Sequence, residues 1–163
     1  MLFWQKSDNG IGAPVNGICE DIVKCKDLTF SKKLLGDGFL IHPVEDIICS
    51  PCDGVLSMVF PTRHAFGIKT NDGREILVHI GIDTVNLNGE CFKQLKQINS
   101  KVKRGTPVVS ADVSRITELG YDPSVMVVLT NSGCSDKKRI GETVQTGDII
   151  IEEKYENNKK HQQ

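Results

Sequence analysis

No stretch of this sequence is apolar enough to cross a bilayer, which takes roughly 18 or more consecutive apolar residues in a helix. The first ten residues, Met1-Leu-Phe-Trp-Gln-Lys-Ser-Asp-Asn-Gly10, lack the apolar core and small-residue cleavage site of a secretory signal. A cytoplasmic protein is expected. The Leu2-Phe3-Trp4 cluster is too short to predict a membrane anchor. There is no basic excess: 20 Lys and Arg face 21 Asp and Glu, and a net charge of −1 excludes the electrostatic footprint of a nucleic-acid binder. No lysine sits at a hairpin tip with the flanking Asp or Met of a lipoyl or biotinyl carrier. What is present, 39% apolar and 25% charged residues, suits a globular chain.

Six cysteines, Cys19, Cys25, Cys49, Cys52, Cys91 and Cys134, would suggest a disulfide framework in a short secreted chain. Without a signal they read as reduced, small hydrophobes. Cys49-Ser-Pro-Cys52 has redox or zinc spacing but no second pair to complete a site.

Short β-branched runs dominate. Val55–Phe60, Glu75–Ile80, Thr106–Ser110, Val125–Thr130 and Gly147–Glu152 read as strands separated by turn signals. Helix is scarce: Gly89–Ile98 places Phe92, Leu95 and Ile98 at helical spacing, and Asp112–Leu119 is a second candidate ended by Gly120. Two phrases recur. Ile11-Gly-Ala-Pro-Val-Asn-Gly-Ile18 matches Ile48-Cys-Ser-Pro-Cys-Asp-Gly-Val55, and Val102-Lys-Arg-Gly-Thr-Pro-Val-Val109 matches Val144-Gln-Thr-Gly-Asp-Ile-Ile-Ile151. Each couples a tight turn to an apolar strand. The prediction is all-β: a duplicated antiparallel sandwich or barrel-sandwich hybrid with one or two short helices. One domain spans residues 11–153, after a short segment 1–10 and before a polar tail, 154–163, expected to fray.

Two of the four histidines flank a turn. In His64-Ala-Phe-Gly-Ile-Lys-Thr-Asn-Asp-Gly-Arg-Glu-Ile-Leu-Val-His79, a hairpin with Asn71 and Asp72 at its tip sets His64 opposite His79. Opposed side chains share a face about 5 Å apart. Two- and four-residue loops keep the pair together, whereas a three-residue loop slips the register by one and turns His79 away. Such a pair suits phosphoryl chemistry or a metal. Neutral imidazole is a good nucleophile towards phosphorus near neutral pH. A second ring N–H and the hydroxyl of Thr62, two residues before His64, could serve the phosphoryl oxygens, while Phe60 and Phe66 could exclude water. His79-Ile-Gly-Ile-Asp83 has the spacing of some zinc peptidases, but the third ligand would have to be His161 in the tail, so a catalytic zinc site is not supported. His42 precedes a proline and reads as a strand-end residue.

His64-Ala-Phe-Gly-Ile and Leu77-Val-His-Ile-Gly-Ile-Asp-Thr-Val85 resemble the active-site region of glucose-class IIA domains of the bacterial phosphoenolpyruvate-dependent sugar phosphotransferase system. The resemblance continues through Asn86–Phe92, Leu35-Gly-Asp-Gly-Phe39 and the Pro51–Gly54 turn, from about Ile11 to Glu152. It implies a phosphotransferase that takes a phosphoryl group from the histidine of the carrier protein HPr and passes it to a cysteine of a IIB domain, serving sugar uptake. It implies His79 as the phosphorylated residue through Nε2, His64 as the stabilising imidazole and Thr62 as the orienting hydroxyl. Asp37 and Asp83 would engage an arginine of the partner. Phe39, Val44, Phe66 and Val85 would belong to the docking region. No metal and no cofactor is implied. The chain reads as a free-standing IIA unit. The alternative that the resemblance carries is a regulatory protein whose phosphorylation state controls its binding to transporters or enzymes.

Overall fold

The computed structural model describes residues 9–152. The Leu2–Trp4 cluster, His161 and the whole of the expected tail, 154–163, lie outside the described residues. In chain order the strands are β1 (Ile11–Gly12), β2 (Gly17–Asp21), β3 (Asp37–Pro43), β4 (Ile47–Cys49), β5 (Gly54–Val59), β6 (Ala65–Lys69), β7 (Glu75–Ile80), β8 (Phe92–Gln94), β9 (Lys101–Val102), β10 (Pro107–Ala111), β11 (Val125–Leu129), β12 (Thr143–Val144) and β13 (Ile149–Ile151). Two short α-helices, α1 (Leu28–Ser31) and α2 (Val113–Glu118), and two 3-10 turns, Ile22–Lys24 and Thr84–Leu87, complete the fold. The strands form antiparallel sheets of eight, three and two strands, in the orders β12-β2-β3-β11-β7-β6-β5-β9, β4-β10-β8 and β1-β13. This is the all-β, sandwich-like architecture expected from the strand spacing.

The internal repeats are written into the hydrogen bonds. Gly12 N–H donates to the Pro51 carbonyl, and Cys49 N–H, at the repeat-equivalent position, donates to that of Pro14. Gly105 N–H reaches Ser50 O as Gly147 N–H reaches Ala13 O, each at 2.9 Å. Asp53 Oδ1 accepts from Arg104 N–H as Asn16 Oδ1 accepts from Thr146 N–H. The eight-stranded order is palindromic about the β7–β11 seam, where Val78 faces Val127. Two copies of one β-unit thus meet edge to edge and share a core.

That core runs through both halves and contains Phe39, Phe66, Val78 and Val127, all fully buried. On the other face of the large sheet, Leu40, Met126 and Val128 pack with Ile22, Cys25 and Phe30 from the segment carrying the first 3-10 turn and α1. Asp27 caps α1 by accepting from Thr29 N–H, which fixes where this cover lies. The Asp112–Leu119 helix forms as α2, with Asp112 as N-cap and Gly120 at φ +91° after it. The Gly89–Ile98 helix does not form. Gly89 and Cys91 have φ of +89° and +80°, and Phe92–Gln94 pairs with β10. The apparent helical spacing there is a turn followed by a strand whose Phe92 enters the core.

Candidate active site

The β6–β7 loop contains three residues, not two or four. Gly73 N–H bonds to Thr70 O at 3.0 Å, Thr70 N–H bonds to Arg74 O at 2.9 Å, and Gly73 lies at φ +87°. This is a type I turn followed by a left-handed glycine. The expected register is therefore corrected by one: Ala65, not His64, stands opposite His79. The histidines still meet, with ring centroids 4.9 Å apart and planes at 82°. His64 precedes the first residue of β6, so strand alternation does not bind it. Arg63 just before it is left-handed, at φ +61°, and the His64 carbonyl accepts from Ile80 N–H at 2.7 Å.

Each ring has one nitrogen committed. His79 Nδ1–H donates to the Gly81 carbonyl at 2.9 Å, leaving a lone pair on Nε2. Gly81, at φ +81°, is fixed in turn: its N–H donates to Ser124 O, and Thr84 Oγ1, beside it, donates to Ile80 O. His64 Nδ1 bonds to Thr62 Oγ1 at 2.6 Å. Phe60 packs edge-on against His64 at 5.3 Å, and Phe30 lies 5.1 Å from His79. Burial pushes the His79 pKa down to about 4, and the neighbouring His64 adds to the shift; the Gly81 hydrogen bond and the Asp27 and Asp83 carboxylates act the other way. Burial also lowers His64. Both rings are neutral at pH 7, the form in which imidazole is a nucleophile.

The structure gathers His64, His79, Thr62 and Asp83 at one end of the sheet, where β7 ends and β6 begins. It does not bring Asp37 there. Asp37 lies in the row of Ile76, three residues from the Leu40 row that contains His79, and it is bound by Lys137 at 2.6 Å and Lys33 at 3.4 Å. The carboxylates whose charge reaches His79 are those of Asp27 and Asp83. Phe39 and Phe66 are fully buried on the core face and cannot line a docking surface; the aromatic residue beside His79 is Phe30. Val44 and Val85 are exposed, at 73% and 48%, as is Leu28 of α1 at 63%. Asp27 and Phe30 were missed because a four-residue helix leaves no periodic pattern. The available signal was the Asp27-Leu-Thr-Phe30 phrase, an N-cap residue followed by an aromatic.

Among the described residues, no group of three or more His, Cys, Asp or Glu is placed to hold a metal ion, and no helix is long and apolar enough to cross a membrane. All six cysteines are free; burial raises the Cys49 and Cys52 thiols to about 11 and about 12, far from thiolate chemistry at neutral pH. His42, in β3, bonds to Glu20 at 2.8 Å.

The family model described as phosphoenolpyruvate-dependent sugar phosphotransferase system, EIIA 1, matches residues 9–135. The glucose-specific EIIA component of Bacillus anthracis is 34% identical over 149 residues, covering 90% of each chain. The glucoside-specific EIICBA component of Staphylococcus carnosus is 36% identical over 144 residues, 88% of this chain, which spans only 20% of that longer protein. The solved structure of glucose permease IIA from Mycoplasma capricolum superposes with a TM-score of 0.79 at 35% identity, covering 93% of this chain and 98% of that one. A β-fold built from two like halves, a pair of neutral imidazoles at the end of its large sheet and these matches agree: this chain belongs to the EIIA 1 family of the phosphoenolpyruvate-dependent sugar phosphotransferase system.

Proposed function

We propose that this chain is a phosphocarrier: His79 accepts a phosphoryl group from the phosphohistidine of HPr and delivers it to the cysteine of an EIIB domain in the cytoplasm. The observation that carries the reading is the His79 ring, held neutral, with Nδ1–H spent on the Gly81 carbonyl and Nε2 left with its lone pair. In the forward step Nε2 forms the new N–P bond while the N–P bond of the donor breaks, and the donor nitrogen keeps the electron pair. Charge that develops on the His79 ring is met by the Gly81 carbonyl. In the second step a thiolate attacks phosphorus and the electron pair returns to Nε2. The transition state is loose, so catalysis is mostly positioning and donors to the three oxygens.

His64 supplies such a donor. With the Thr62 hydroxyl donating to Nδ1, the ring proton sits on Nε2 and can bond a phosphoryl oxygen. Asp27 and Asp83 favour positive charge beside His79, which suits both the phosphorylated ring and a cationic partner side chain. Exposed Leu28 and Val85 supply apolar contact at the same end of the sheet. Val44 extends this surface in the proposal.

The test uses Enzyme I, HPr and phosphoenolpyruvate. The protein should take up one acid-labile, base-stable phosphate, and His79→Ala should take up none. His64→Ala should accept phosphate but donate it slowly. No label on the wild-type protein, or undiminished label on His79→Ala, rules the reading out.

A further inference from the structure

We propose that Arg63 is a positioning residue of the histidine pair: its guanidinium, bridging two main-chain carbonyls, holds the left-handed turn that places His64 against His79. The inference rests on the phosphocarrier reading for its kinetic consequence, but not for its structural one.

Strand alternation alone would not pair these rings, because Ala65 stands opposite His79. The reversal at Arg63 supplies the missing rotation. Arg63 is at φ +61°, a conformation that strains a side chain with a Cβ. Asparagine and glycine adopt it far more readily than arginine. An arginine there needs something to hold it. The structure provides two bonds: Arg63 Nε–H donates to Phe92 O and an Nη2–H donates to Gly89 O, both at 3.1 Å. The backbone joins in, with Arg63 N–H on Phe60 O at 2.7 Å and Phe60 N–H on Ala65 O at 2.9 Å. The turn that carries Thr62 and His64 is thereby tied to the segment running from the Thr84–Leu87 turn into β8.

The other side of the bridge is shaped to receive it. Gly89 lies at φ +89°, and a Cβ built there would sit 2.7 Å from Arg63 Nη2. Room for the guanidinium therefore depends on a hydrogen at Gly89. The bridge touches no reacting atom in this arrangement. Its effect passes through the backbone to His64 and to the Thr62–His64 hydrogen bond on either side of Arg63.

Three variants separate positioning from general damage. Arg63→Ala removes the bridge and keeps the cost of the left-handed turn. Arg63→Asn removes the bridge but tolerates the turn. Gly89→Ala displaces the guanidinium from the far side. The first readout is the ring nitrogens of uniformly 15N-labelled protein without phosphate. His64 in the wild type should show one fixed tautomer; Arg63→Ala and Gly89→Ala should show averaged tautomers, with His79 unchanged and Arg63→Asn intermediate. The second is single-turnover transfer from phospho-His79 to an EIIB domain, which should slow by on the order of tenfold to a hundredfold in Arg63→Ala and recover in part in Arg63→Asn. The extent of loading at His79 should not change. A His64 spectrum and a transfer rate that match the wild type in folded Arg63→Ala overturn the proposal, as does an Arg63→Asn variant no better than Arg63→Ala. A wild-type protein that takes up no phosphate defeats the phosphocarrier reading alone, and the nitrogen spectra still decide the role of Arg63.

Discussion

His64 and His79 are neighbours in space without being partners in the β-ladder: Ala65 holds the position across from His79, and His64 lies just before the first residue of β6, its carbonyl accepting from Ile80 N–H. A residue on a turn is less constrained than one in a ladder, so its side-chain bonds carry more of its orientation. The 2.6 Å bond from Thr62 to His64 Nδ1 is then decisive. Thr62→Val keeps shape and removes the hydroxyl. It should slow phosphoryl donation about tenfold, near 1.4 kcal/mol of barrier, and leave the amount of phosphate loaded on His79 unchanged. Thr62→Ser should restore most of the rate. Single-turnover transfer to an EIIB domain measures both.

Gly81 controls His79 in the same way from the other side. Its carbonyl fixes the ring tautomer, and its φ of +81° favours glycine. A Cβ there would collide with the Thr84 methyl group. Gly81→Ala should destabilise the fold by about 1–3 kcal/mol through backbone strain. It should also reduce phosphate loading, because a displaced carbonyl no longer holds Nδ1–H. Chemical denaturation and labelling check the two effects separately. A stable variant that loads normally would show that the carbonyl is not needed.

The low pKa of His79 makes a prediction about acid. An unfolded histidine titrates near 6.5, and the folded ring near 4. Between those values the unfolded chain binds a proton that the folded chain refuses. The contribution of neutral His79 to stability is thus complete above about pH 6.5 and lost as pH falls towards 4. Loading from a small phosphoramidate donor should stay level from pH 8 to about 5, then fall as Nε2 is protonated. In His79→Ala the loss of stability between pH 6.5 and 4 should be shallower. A loading curve that breaks near 6.5 would place the ring in water instead.

Asp37 belongs to a different network. Lys137, nearly buried, lies 3.0 Å from Asp21 and 2.6 Å from Asp37. Burial disfavours the Asp37 carboxylate, but the Lys137 hydrogen bond and the Gly38 N–H outweigh it and hold its pKa below the usual value. Lys137→Met removes the cation shared by the two carboxylates and leaves Asp37 only the more exposed Lys33, 3.4 Å away. Removing one partner of a buried ion pair costs about 3–5 kcal/mol; with both carboxylates partly exposed, roughly half of that is expected here. Phosphate loading at His79 should be unaffected. Thermal melting beside a labelling assay tests the separation, and a large loss of loading in a folded variant would tie Asp37 to the active site after all.

Much of this molecule was legible in its sequence, and the limits have physical causes. The repeated Pro and Asn/Asp-Gly phrases announced the duplication because turns depend on local chemistry, and the hydrogen bonds of Gly12 and Cys49 follow it residue by residue. Val125–Thr130 and Glu75–Ile80 read as strands because their apolar, β-branched residues suit a sheet: Val125–Leu129 is buried on both faces, and Glu75–Ile80 alternates between buried and partly exposed positions. The loop register did not follow from Thr70-Asn-Asp-Gly73, since one glycine serves loops of two, three or four residues. Gly89–Ile98 misled because helical spacing of apolar residues says nothing about a left-handed Cys91. Asp37 and Phe39 were placed at the site by position in a motif, whereas which face a residue takes depends on where its strand begins. Asp27 and Phe30 reach His79 through tertiary packing of a helix too short to leave a pattern.

Phe30 offers the last test of that packing. Its ring lies against His79 and is itself 4% exposed, wedged beneath the segment that includes α1. An aromatic lid of this kind keeps water from the N–P bond while the partner approaches. Phe30→Leu keeps most of the apolar contact, whereas Phe30→Ala opens a cavity beside the ring and should cost about 3–5 kcal/mol. Phospho-His79 should therefore hydrolyse several-fold faster in Phe30→Ala than in the wild type, with Phe30→Leu between them. The rate of spontaneous phosphate release from purified phosphoprotein measures this directly. Because the His79 pKa is depressed chiefly by burial, the same variants should raise it, moving the acid limb of the loading curve from near 4 towards 6.5. Faster hydrolysis without a shift in that limb would mean that Phe30 shields the phosphoryl group rather than the imidazole.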